Sequence, residues 1–309
     1  MLTPRGLRLL RTYLTYRAGK MSFEKEQRIG LEAQVKRNPH RDFSAVEAGR
    51  PTWDAQDQFH YTQKPGMAWK LGSGATDDEW TKHKKLTIDP YGEGRAAVDN
   101  YKLLISGVVP RPIGFVASIS ADGKHNLAPF SYTTIVNHDP PIFCIGFSGG
   151  KGNLKDTCAN VLATGELTIN IISEWFVEAA NATAIDSPAG VNEWQLAGLT
   201  PVASEKVKPP HVAESAFSVE AKLVTSHEWT SPSSGRATGT LLIVEGVNFH
   251  VREDVVNPEL NNIDAAKLKP VSRLGGITYG RTLVGYEMPR PDWAAESAKA
   301  EVDELLKKD

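Results

Sequence analysis

Two chemistries compete for one stretch of this chain, GFSGGKGNLKDTCAN at 146–160. Its first five residues, Gly146-Phe147-Ser148-Gly149-Gly150, fit the G-x-S-x-G pattern that exposes a nucleophilic serine where a strand turns directly into a helix. That elbow needs its helix at once. Here Gly149, Gly150, Lys151, Gly152 and Asn153 follow instead, and three glycines in four positions do not start a stable helix. His227, His250 and Asp254 lie downstream, but in a chain with eight histidines they are weak evidence for a triad. The second half of the stretch reads as a glycine-rich loop running into a helix. Lys155 offers a cation, Asp156 or Thr157 is a candidate cap, and the free N–H groups of a helix starting at TCANVLA favour a bound dianion. An ordinary capped helix behind a loop is the plainer alternative, and these residues alone leave both open.

Other motifs carry less. GEGRAA at 92–97 matches G-x-G-x-x-A, but Pro90 interrupts the segment before it and no strand-helix-strand unit follows. No G-K-[ST] triplet is present, and HEWTS at 227–231 lacks the second histidine of a zinc helix. Cys144 and Cys158 form no metal-ligand spacing and read as small buried residues of a reduced protein. A net charge of -2 and a pI near 6.5 give no electrostatic reason to expect nucleic acid. The longest apolar runs, such as LLIV at 241–244, are too short to span a bilayer, so a soluble, cytoplasmic protein is expected.

These residues need elements to hold them. Residues 1–20 carry five basic side chains and no acid, either a mitochondrial transit segment or sequence upstream of a start at Met21. Residues 22–98 are polar and broken by Gly and Pro, an extension whose Trp53, Trp69 and Trp80 suggest that it packs onto the rest. From Tyr101 the character changes. YKLLISGVVP, PIGFVASIS, PPIFCIGFS, GELTINIIS, AFSVEAKLVTSHEW and TGTLLIVEGVNFHVRED read as strands, with an Asp122-Gly123 hairpin turn after the second. VEAKL alternates as a half-buried strand should. KDTCANVLATG, EWFVEAANATAI and VNEWQLAGL read as short helices, and residues 291–309 as a helical tail. Many strands with a few inserted helices predict a mainly β protein built as a barrel.

The segments also come in a family order. RPIGFVASISADGKHNLAPFSY (111–132), NHDPPIFCIGFS (137–148), KDTCANVLATGELTINII (155–172), EAANAT (178–183), EWQLAGLTPVAS (193–204) and LKPVSRLGGITYGR (268–281) together resemble the flavin reductase-like, FMN-binding split-barrel family. The resemblance covers about Asn100 to Arg290, and the preceding extension resembles that of fungal members. It implies a split β-barrel at 99–290, forming a homodimer with FMN near the subunit interface. It further implies flavin contacts from Ser118 on a strand and from Asn126, Leu127, Ala128, Pro129, Phe130 and Ser131 as the loop beside the ring and ribityl chain. Lys155, Asp156 and Thr157 would hold the phosphate, with Asn181 and Tyr279 as further pocket residues. Family members often read F-S-Y-F where this chain has Thr133 after Tyr132, so one aromatic is missing there.

The chemistry that the resemblance implies is hydride transfer from NADH or NADPH to the flavin, with no catalytic side chain and no metal required. Reduced flavin would pass its electrons to a small-molecule acceptor or a partner monooxygenase, without nucleic acid or membrane. A flavin-binding sensor or carrier without turnover is the alternative.

Overall fold

The computed structural model describes residues 38–188 and 190–307. The segment read as a transit signal, 1–20, lies outside them, as do the first residues of the extension. In chain order the elements are α1 (Phe43–Ala48), β1 (His60–Tyr61), α2 (Ala97–Gly107), β2 (Gly114–Ile119), β3 (His125–Phe130), β4 (Thr133–His138) and β5 (Pro141–Ser148). Then come α3 (Asp156–Thr164), β6 (Glu166–Ile171), α4 (Val177–Ala182), α5 (Glu193–Ala197), β7 (Pro201–Val202), β8 (His211–Val212), β9 (Phe217–Thr230) and β10 (Ala237–Val251). The last are α6 (Ala265–Leu268), β11 (Val271–Arg273), β12 (Tyr279–Arg281), β13 (Val284–Gly285), α7 (Trp293–Ser297) and α8 (Ala300–Leu306). They fall into two compact units. One is Ala96–Arg281 with the described residues up to Thr52; the other joins Trp53–Arg95 to the chain from Thr282 on.

The first unit is built on a seven-stranded sheet in the order β3-β2-β6-β9-β10-β5-β4, antiparallel throughout. β3 and β4 are its opposite edges, yet only Ser131 and Tyr132 separate them in the chain. A connection that short forces the sheet to curl until its edges meet, which makes a barrel with a split between them. The seam is stitched by the Thr133 hydroxyl donating to the Phe130 carbonyl at 2.8 Å and by Gly146 N–H donating to the Tyr132 carbonyl at 2.8 Å. Curling needs bends, and three register shifts along the β9–β10 pair supply them.

Burial follows from the curl. On β2 the alternation sends Val116 to one core and Phe115 and Ala117 to another. Val116 joins Ile145, Phe147, Leu167, Ile169, Leu242 and Val244, with Cys158 and Val161 of α3 packed against them. Phe115 and Ala117 face Ile172, Phe176, Ala180 and Trp194, so the short helices α4 and α5 cover that side. Gly165, at φ +77°, ends α3 in a left-handed turn from which β6 departs. Cys158 sits in this core with its thiol pushed up to about 11 by burial, an inert packing residue as expected.

The segment from Tyr101 corrects the expected strand. It is α2, and Tyr101, Leu104, Ile105 and Val108 recur with the helical spacing i, i+3, i+4, i+7. β-branched Ile105, Val108 and Val109 gave the segment a strand-like composition, but Leu103 and Leu104 are good helix formers and the period decides. Ile105 is its buried residue.

In the second unit β1 and β13 pair in parallel, His60 opposite Val284 and Tyr61 opposite Gly285. The Phe59 and Tyr61 rings meet edge to face at 5.1 Å. The C-terminal helices thus share a unit with the Trp53–Arg95 segment. Trp69 donates its indole N–H to the Gly74 carbonyl at 2.8 Å. Trp53 and Trp80 are 60% and 71% exposed in the single chain.

Candidate functional site

Where β3 passes the start of α3 the first unit opens into a cavity of about 280 Å³. One wall is Asn126, Ala128, Pro129 and Phe130 of β3, continued by Ser131 and Tyr132 across the seam. A second is the first turn of α3 with Lys155, Asp156 and Thr157. Thr183 to Ser187 and Glu193 close a third side, and Arg111 and Arg273 a fourth.

The helix start differs from expectation in one respect. Neither Asp156 nor Thr157 caps α3: Lys155 occupies the cap position with extended backbone and makes no side-chain cap bond. An ammonium has no acceptor to offer, so this side chain cannot cap the first-turn N–H groups. Thr157 is instead buried, its hydroxyl accepting from Asn126 Nδ2 at 2.7 Å. Asp156 lines the cavity beside Lys155, so an anion held there meets a carboxylate as well as a cation.

The glycine loop before the helix is tied down elsewhere. Gly149 N–H donates to the Thr238 carbonyl at 2.9 Å, the Thr240 hydroxyl donates to the Gly149 carbonyl at 3.1 Å, and Lys151 N–H donates to the Glu228 carboxylate. Ser148 closes β5 and no helix begins until Asp156, which removes the serine elbow. Ser148 nonetheless lines the cavity, a position that its place at a strand end did not suggest.

Other expected contacts divide. Asn126, Ala128, Pro129, Phe130 and Ser131 line the cavity, but the first four belong to strand β3, not to a loop. Leu127 points the opposite way and is fully buried in the core with Phe115 and Trp194, because neighbouring residues on a strand face opposite sides. Ser118 is fully buried outside the lining; its hydroxyl accepts from Asn160 Nδ2 at 3.1 Å and, more weakly, from Asn126 Nδ2 at 3.4 Å. It orients Asn126 and does not face the cavity. Asn181 and Tyr279 bond each other, Tyr279 O–H to Asn181 Oδ1 at 2.9 Å, and neither is in the lining. Thr133, which stands where an aromatic was expected, is buried at the seam against Gly114.

Several lining residues escaped the sequence reading. Arg111 is buried and donates from Nη1 to the Ile105 and Val108 carbonyls, the latter at 2.9 Å, and from Nη2 to the Leu274 carbonyl at 2.9 Å. It thereby fastens the end of α2 to the turn after β11. Arg273 lies over the Tyr279 ring at 4.4 Å and donates to the Gly276 carbonyl at 2.7 Å. Burial, with Tyr101 adding to it, raises the Tyr132 phenol above its ordinary value, so it stays an O–H donor at neutral pH. Glu193 is buried too, and its Oε2 has no partner. All four lie within the motifs that carry the family resemblance, but nothing in their local spacing marks them as cavity residues.

An elongated ligand with an anion at one end and a flat apolar body suits these walls. The α3 start and Lys155 fit the anion, Ala128 to Phe130 fit the body, and the lone acceptor on Glu193 fits a hydroxyl or N–H donor. Among the described residues no cluster of three or more metal ligands occurs, and no helix is long and apolar enough to cross a membrane.

A curled antiparallel sheet split along one seam, with a helix start and a strand wall facing a cavity, defines the split-barrel class. The chain belongs to the Flavin reductase like domain family, whose profile matches residues 106–267. An uncharacterized protein of Aquifex aeolicus is 40% identical over 181 residues, 58% of this chain and 88% of its own. Nitrilotriacetate monooxygenase component B from Bacillus cereus is 35% identical, covers 67% of this chain and 100% of its own, and superposes with a TM-score of 0.62. A split-barrel protein from Shewanella frigidimarina, at 21% identity over 65% of this chain and 94% of its own, shares the fold with a TM-score of 0.53. The chain is thus a flavin reductase-like protein of the oxidoreductase type.

Proposed function

We propose that this chain is an FMN-dependent NAD(P)H:flavin oxidoreductase that works as a homodimer. The observation that carries the reading is the start of α3, where Lys155 and uncapped first-turn N–H groups face a cavity walled by β3. A monophosphate flavin suits it: one terminal dianion fits one helix start. Bound flavin would supply the redox chemistry, accepting hydride from NADH or NADPH. The chain supplies position. Asn126, bonded to Thr157, holds β3 against the phosphate end. Ala128 to Ser131 provide the surface for the ring, and Tyr132 an O–H donor at the seam. At about 280 Å³ the cavity is at the small end for a cofactor site, which supports a second copy completing it. Reduced flavin would serve oxygen, ferric iron or a partner monooxygenase. The similarity to a protein named as a monooxygenase component supports the last.

The test is a titration with FMN followed by steady-state oxidation of NADH and NADPH. Many turnovers of nicotinamide per protein are expected. Protein that binds no flavin refutes the reading, and protein that binds FMN but stops at one equivalent is a carrier, not an enzyme.

A further inference from the structure

Glu193 has an acceptor to spare in a place where carboxylates rarely sit alone. It is 7% exposed, lies in the first turn of α5 and lines the cavity. Ser187 Oγ donates to its Oε1 at 2.9 Å, while Oε2 is buried with no hydrogen-bond partner. A buried acceptor left unmade costs about 1–3 kcal/mol, and more when charged, so such an atom calls for an explanation.

Its position narrows the choice. α5 packs on β3, and Gly190, just before it, sits against Lys124 at the turn into β3. The approach of Gly190 to Lys124 sets the entry to α5 beside the turn into β3, and so toward the end of β3 where Asn126 bonds the α3 start. A carboxylate there repels a phosphate. It gains nothing from the ring carbonyls, which are acceptors themselves, and the ring's one donor, N3–H, lies on the edge remote from the phosphate. The neutral donors that a flavin carries next to its phosphate are the hydroxyls of the ribityl chain.

We propose that Glu193 accepts a hydrogen bond from a ribityl hydroxyl and is a specificity residue for the polyhydroxyl chain, held in place by Ser187. This rests on the flavin reading above. It predicts selection between flavins that share a ring and differ in the chain.

The experiment titrates the full-length protein with FMN, riboflavin and lumiflavin, which lacks both hydroxyls and phosphate, using displacement of FMN for weak binders. Wild type, Glu193→Ala, Glu193→Gln and Ser187→Ala are compared, with thermal melts to establish folding. A hydrogen bond to a charged acceptor corresponds to roughly tenfold to hundredfold in affinity. Glu193→Ala should lose that much for FMN and riboflavin and nothing for lumiflavin. Glu193→Gln, which keeps an acceptor oxygen, should recover part of it. Ser187→Ala should weaken the first two ligands a fewfold, and serves alone if the Glu193 variants do not fold. Equal losses for lumiflavin would put Glu193 on the ring and overturn the assignment. So would unchanged affinities, or a gain for FMN alone. Wild-type protein that binds none of the three refutes the flavin reading itself, whereas wild type that binds FMN with a flat variant series refutes only the role of Glu193.

Discussion

The Asn126 side-chain amide donates to the Thr157 hydroxyl over 2.7 Å, and this bond joins strand β3 to the first turn of α3. Each partner comes from a different wall of the cavity, so the bond sets the distance between the surface proposed for a ring and the site proposed for a phosphate. Ser118 and Asn160 complete the arrangement from behind.

Removing the amide should therefore loosen the walls without emptying the core. Asn126→Ala is expected to weaken FMN binding by about tenfold, the scale of one lost hydrogen bond and its positioning effect, while stability falls by only about 1 kcal/mol. Fluorescence titration and a urea melt measure the two separately. A variant that melts normally and binds FMN as wild type does would mean that the bond is structural alone.

Lys155 should act on the phosphate and nothing else. Lys155→Met is expected to reduce affinity for FMN by several-fold to tenfold and leave riboflavin nearly unchanged, with the FMN loss shrinking as salt is raised. The helix start persists in the variant, so binding should fall and not vanish. Parallel titrations of the two flavins at low and high salt decide it. Equal losses for both would place the phosphate elsewhere.

How far these residues could be read in advance depended on whether a signal was local. Strand alternation and the Asp122-Gly123 turn located β2 and the hairpin turn after it, because a pleat and a tight turn leave their mark within a few residues, whereas β3 was read as a loop. The helix behind Lys155 was legible for the same reason, through its run of helix formers and terminal Gly165. Facing was not. Leu127 and Ala128 belong to one motif, and only the curl of the sheet decides that the first enters the core and the second the cavity. Glu193 was invisible because its burial depends on α5 folding onto β3. Glu220 was misleading: alternation in VEAKL places it outward, yet it is fully buried, since the loop before β8 folds over it with backbone donors.

The loop that first suggested a serine nucleophile should prove structural. Gly149 has φ +92°, and an added Cβ would run into the Asn153 carbonyl. Gly149→Ala is expected to cost at least about 1–2 kcal/mol from the backbone conformation alone. Ser148→Ala should change stability by less than about 0.5 kcal/mol. Both values come from urea denaturation. Comparable losses for the pair would show that Ser148, not the glycine, holds the loop.

Acid should expose the Glu220 network. The carboxylate accepts from the N–H groups of Glu205, Lys206 and Val207, from Asn248 Nδ2 at 3.1 Å and from His250 Nε2 at 2.5 Å. Burial alone would raise its pKa, but these donors together hold it down at about 2, from an ordinary 4.5. The unfolded chain therefore takes up the proton first as pH falls. Stability is fully present above about 4.5 and drains away toward about 2, a difference on the order of 3 kcal/mol. His211, stacked on His250 at 4.0 Å, adds an earlier step. Burial and the neighbouring His250 lower its pKa, so the fold favours its neutral form and stability begins to fall below the ordinary value of 6.5. Unfolding free energy measured from pH 7 to pH 3 should decline gently below 6.5 and steeply below 4.5. In Glu220→Gln the steep phase should be reduced, at the cost of lower stability at pH 7, because an amide cannot accept from all of those donors. A variant that keeps the wild-type slope below 4.5 would assign the acid transition to other carboxylates.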